Sequence, residues 1–80
     1  MQNTRMTLAD METGETGTVV EIHGGMGMRT RLNSLGIMEG IKIMKVSSQI
    51  MRGPVTIRVG NTQVAIGFGM AQRIIVEVTG

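Results

Sequence analysis

Apolar and polar positions alternate most regularly between residues 55 and 66. Val55, Ile57 and Val59 alternate with Thr56 and Arg58, and Val64 and Ile66 continue the pattern after Gly60-Asn61. Two strands joined by a Gly-Asn pair predict a two-residue hairpin, with Ile57 opposite Val64 and Val55 opposite Ile66. Pro54 stands at the strand entrance, where a missing N–H does least harm. The segment Thr18–His23 predicts another strand, with Val20 and Ile22 on one face and Val19, Glu21 and His23 on the other. Ile41–Val46 is apolar on both alternation faces, as suits a barrel strand with its outer side partly covered by a helix. A short turn, Phe68 to Arg73, leads to a last strand with Ile74, Val76 and Val78 inward.

Helical spacing occurs twice. Thr7-Leu8-Ala9-Asp10 fits the [ST]-x-x-[DE] start pattern, with Met6 and Met11 placed to staple across it. Met28, Leu32 and Leu35 form an i, i+4, i+7 stripe, and Gly36 follows where a left-handed helix cap is wanted. Gly24-Gly25-Met26-Gly27 reads as a flexible turn into that helix. The expected architecture is mainly β: five short strands and two short helices, closed as a barrel to remove exposed sheet edges. Residues 1–6 are expected to be an N-terminal tail and residues 7–80 one domain, since 80 residues leave no room for a second.

Composition narrows the chemistry. Eight Lys and Arg against six Asp and Glu leave a net charge of only +2, little to grip a polyanion. Phe68 is the one aromatic residue, so no base-stacking platform and no aromatic groove for proline-rich ligands can be built. Without cysteine there is no thiolate site, and one histidine with scattered acids argues against a catalytic triad. No apolar run approaches the roughly 20 residues that span a bilayer, and residues 1–5 open no run of signal-peptide length. The expectation is a cytoplasmic, non-enzymatic protein with no nucleic-acid partner and no direct membrane insertion.

Several residues carry alternative readings. The glycine run at 24–27 invites a phosphate-loop reading, but no Gly-Lys-[Ser/Thr] follows it. Nine methionines invite a soft-metal reading, against the simpler one that Met fills irregular gaps in a small core. Met26, Met51, Met70 and Phe68 differ from the rest because they lie in turns beside glycine. There they suit an adaptable apolar contact with another protein. His23 with Glu21, two residues away on the same strand face, is the only metal-ligand pairing to consider. Two ligands leave a site open, so only weak or intermolecular transition-metal binding is expected, and no tightly bound cofactor. Arg29, Arg31 and Arg52 are solvated charges or contacts for acidic groups on a partner.

The order and spacing of several pieces resemble the FeoA family. They are Gly14-x-x-Gly17, Arg31-Leu32-x-x-Leu35-Gly36-Ile37 with Gly40, Gly53-Pro54-Val55, Gly60 with Val64-Ala65-Ile66, and Ala71-x-x-Ile74-x-Val76. The resemblance runs from Leu8 to Val78 and implies an SH3-like barrel with a helix inserted after the first strand. It also implies a part in bacterial ferrous-iron uptake, through binding to the cytoplasmic side of a FeoB-like membrane transporter. Within it Arg31, from the Arg-Leu pair, becomes the leading basic contact. Where the family usually has a polar, often basic stretch, this chain has Gly67-Phe68-Gly69-Met70. The alternative is a stand-alone transition-metal-binding regulatory module, since a related SH3-like domain ends many iron-dependent repressors.

Overall fold

The computed structural model describes residues 3–48 and 52–79. Its strands are β1 (Asn3–Thr7), β2 (Thr16–Ile22), β3 (Lys42–Ser48), β4 (Val55–Val59), β5 (Thr62–Ile66) and β6 (Ile74–Thr79). Two short helices, α1 (Met26–Ser34) and α2 (Phe68–Ala71), and a 3-10 turn at Leu8–Asp10 complete it. The strands form one antiparallel sheet in the order β1-β6-β2-β3-β4-β5.

The strand count is six, not five. β1 pairs with β6 from Asn3 opposite Thr79 to Thr7 opposite Ile75, so residues 3–6 are strand rather than tail. Most of β1 is exposed and lacks apolar alternation. The backbone of β6 recruits it, which no local pattern announces. β1 and β5 are the two ends of the sheet. The 3-10 turn after β1 packs against α2 after β5, and Leu8 and Ala71 are fully buried. Helical turns, not strand pairing, thus close the seam of the barrel.

The hairpin has the expected register, Ile57 opposite Val64 and Val55 opposite Ile66. Gly60 takes φ +61° and Asn61 does not share the positive φ, the pattern of a turn with glycine first. Thr7 caps the 3-10 turn, its Oγ1 accepting from the Asp10 N–H at 3.2 Å. Met11 is buried and Met6 packs against the same core.

Two alternation readings are corrected. On β2 the inward residues are Val19 and Ile22, not Val20 and Ile22. The register against β6 shifts between Val19 and Glu21, so Val20 is the extra residue of a bulge and the faces exchange there. On α1 the buried residue is Leu32, with Met28 partly buried, while Leu35 is 39% exposed. The helix ends in a Schellman turn: the Ile37 N–H donates to Leu32 O, and the Gly36 N–H to Asn33 O. Gly36, at φ +88°, lets the chain reverse so that Ile37, and not Leu35, enters the core. The helix also starts earlier than its stripe, at Met26, so the glycine run at 24–27 is partly helical.

β3 turns Ile43 and Lys45 inward. Lys45 is 2% exposed, and its Nζ donates to the Ala9 carbonyl at 2.9 Å and the Met11 carbonyl at 2.6 Å. Burial pushes its pKa below the ordinary 10.5, while Asp10 and Glu15 pull it back up.

Candidate functional site

The C-terminal half of α1 leans over the end of β5 and the start of α2. Between them lies a groove of ≈ 420 Å³ lined by Arg31, Ser34, Leu35, Ala65, Ile66, Gly67 and Met70. Its apolar surface comes from Leu35, displaced to the rim by the helix cap, from Ile66, and from Met70, which also packs against the core. Small residues at 65 and 67 leave the space open. Ser34 is committed locally, its hydroxyl donating to the Arg31 carbonyl at 2.7 Å.

Arg31 is exposed and makes no ion pair among the described residues. Arg29, two positions earlier, is occupied: it donates to the Ile22 carbonyl at 2.6 Å and to Glu39 at 3.3 Å. Arg29 therefore serves the fold, and Arg31 is the arginine of α1 with an open charge at the groove.

The residues singled out from the sequence divide accordingly. Arg31 and Met70 meet in the groove. Phe68, half-buried at the start of α2, has the Arg52 guanidinium 6.0 Å from its ring centre. Met26, 83% exposed, stands at the opposite end of α1 from the groove. Met51 lies outside the described residues. Sequence reasoning misses Leu35 and Ala65 as contact residues. A leucine directly before a capping glycine is the signal that places Leu35 on the rim.

His23 and Glu21 do meet, Nε2 to Oε2 at 2.5 Å. The carboxylate is also 3.9 Å from Arg5, which pairs with Glu77 at 3.5 Å. The His23 hydrogen bond and charge hold the Glu21 carboxyl below its ordinary 4.5, with Arg5 adding to the effect. Among the described residues no third His, Cys, Asp or Glu joins them to make a group fit for a metal ion. The arrangement is an exposed ion-pair chain across β1, β6 and β2, with a cation already beside the carboxylate.

The fold is thus a barrel with an inserted helix and a groove beneath it that is about half apolar. The sequence model of the FeoA domain matches residues 6–78. The chain belongs to the FeoA family. A Methanocaldococcus jannaschii protein carrying the name Fe(2+) transport protein A is 40% identical over 70 residues, 88% of this chain and 83% of its own. The crystal structure of a FeoA described as an iron uptake regulatory protein superposes with a TM-score of 0.86 at 37% identity. It covers 95% of this chain and 99% of its own. A manganese-dependent transcriptional repressor shares the fold, with a TM-score of 0.87 at 22% identity, over 99% of this chain but 44% of the repressor. The SH3-like architecture is thus common to FeoA proteins and repressor domains. Among the described residues no helix is long and apolar enough to cross a membrane.

Proposed function

We propose that this FeoA-family chain is a non-enzymatic cytoplasmic accessory of ferrous-iron uptake that docks on the cytoplasmic side of a FeoB-like transporter. The observation that carries the reading is the groove, where exposed Leu35 and half-buried Met70 lie beside the exposed charge of Arg31. A mixed groove in which flexible apolar side chains alternate with polar surface, with one exposed charge at its rim, fits an adaptable protein contact. It offers no nucleophile with an adjacent base, as group transfer would need. The name of the archaeal relative and the family match support the link to Fe(2+) transport. Likeness to the repressor is one of fold, and fold does not fix function.

Ferrous-iron uptake in cells carrying the chain or lacking it tests the reading, together with binding of the chain to the purified transporter. Lower uptake in its absence and direct binding are expected. Unchanged uptake with no binding would remove the transporter role.

A further inference from the structure

β5 is a sheet edge that its own sequence does not protect. Natural edges are kept from pairing by short length, lysines, prolines, bulges, inward charges or a covering helix or loop. The sequence of β5, Thr62-Gln63-Val64-Ala65-Ile66, contains no charged residue and no proline, and its pairing with β4 has no bulge. The opposite edge, β1, carries Arg5 paired with Glu77. In a two-residue hairpin the residues flanking the turn, here Val59 and Thr62, bond each other. Bonds to β4 therefore fall on Thr62, Val64 and Ile66. The N–H and C=O groups of Gln63 and Ala65 face away from β4, and among the described residues β5 has no second strand neighbour.

That free edge borders the groove, because Ala65 lines it too. An incoming strand would find main-chain donors and acceptors at residues 63 and 65. Its side chains would find a half-apolar recess beside them and, at the rim, the Arg31 guanidinium, unpaired among the described residues. Strand addition uses these two parts, main-chain bonds for affinity and a neighbouring pocket for specificity. The open charge of Arg31 selects an acidic segment over a basic one.

We infer that the groove receives an extended segment of the partner, which adds to β5 as a further strand. One apolar side chain of the segment lodges between Leu35 and Met70, and a nearby carboxylate meets Arg31. This rests on the transporter-docking reading above and names the kind of segment recognised.

Residue-resolved amide exchange on the full chain, alone and with the purified full-length transporter, tests it. The Gln63 and Ala65 amides exchange fast in the free protein and slow about tenfold or more in the complex. Ala65→Pro removes the outward N–H while sparing the bonds to β4, and weakens binding about tenfold or more. Ala65→Ser keeps the N–H and weakens binding less than Ala65→Pro does, and Arg31→Glu weakens it. Should Ala65→Pro fail to fold, exchange in the wild-type complex decides the matter. Binding without protection at residues 63 and 65 overturns strand addition and leaves docking standing. Absence of any binding overturns the docking reading and strand addition together. Slowing of the same amides as the chain alone is concentrated makes the occupant a second copy, and overturns the assignment to the transporter.

Discussion

Lys45 and Met11 are 34 positions apart in sequence, yet the Lys45 ammonium donates to the Met11 carbonyl at 2.6 Å inside the barrel. The same ammonium reaches Ala9 O, and the main chain of Lys45 bonds Gly14 N and Glu15 O. One residue of β3 thereby fastens the whole stretch from the 3-10 turn to the start of β2. The 3-10 turn packs against α2, which carries Met70 into the groove. The bracing of the loop and the wall of the candidate site are continuous.

Replacing Lys45 by Met keeps the aliphatic stem and removes both donors. The Ala9 and Met11 carbonyls then lose a charged partner. Hydrogen bonds to charged groups contribute about 1.5–3 kcal/mol each, and removing both should cost about 2–4 kcal/mol because the vacated charge no longer needs desolvating. Urea denaturation measures this as a lower midpoint. A variant as stable as wild type would show that the loop holds without the clamp.

Leu32 and Leu35 make a paired test of where α1 faces. Leu32 is fully buried and Leu35 is 39% exposed. Leu32→Ala should destabilise by about 2–5 kcal/mol, the large-to-small range for core positions. Leu35→Ala should cost less than about 1 kcal/mol, as at sites outside the core. Equal losses in chemical denaturation would put Leu35 back into the core.

What the sequence discloses and what it hides follow from the range of the interactions. The hairpin at residues 55–66 is legible because strand, turn and register are set by neighbours within a dozen positions. The capped turn at Thr7 is equally local. Val20 is misread because a bulge exchanges the faces, and the partner strand β6 that reveals the shift lies far along the chain. β1 has no pattern of its own and exists through β6. Lys45 sits where alternation wants an apolar residue, and only the fold brings carbonyls 9 and 11 to it. In the candidate site, Arg31 and Met70 are legible as residue types. Their meeting across α1 and α2 is not.

The Glu21 carboxyl gives the pH dependence a definite sign. Its folded pKa lies below the ordinary 4.5 because His23 and Arg5 favour the charged form. The folded state therefore binds this proton less readily than the unfolded chain. The stabilisation is fully present above pH 4.5 and is lost as pH falls through the depressed folded value. Glu21→Gln should remove that part of the acid sensitivity. Melting temperatures followed from neutral pH down through this window should fall less steeply in the variant. Added salt should narrow the difference, because the group is exposed. Parallel acid profiles for the two proteins would contradict the link.

Docking through the groove predicts an asymmetry between the free protein and the complex. Leu35→Asp places a carboxylate at a position already 39% exposed, so the free chain should fold and melt nearly as wild type. In the complex the same carboxylate is buried against apolar surface without a partner. Binding should then weaken about 10- to 100-fold. Arg31→Ala acts differently. A rim charge mainly steers the encounter, so its removal should slow association and flatten the salt dependence more than it speeds dissociation. Met26→Asp, at the other end of α1, measures how far the contact extends along the helix, and a smaller weakening is expected there. Circular dichroism establishes that each variant is folded, and association and dissociation rates are then read against the purified transporter across salt concentrations. Wild-type rates for Leu35→Asp and Arg31→Ala in folded protein would take the docking surface away from this groove.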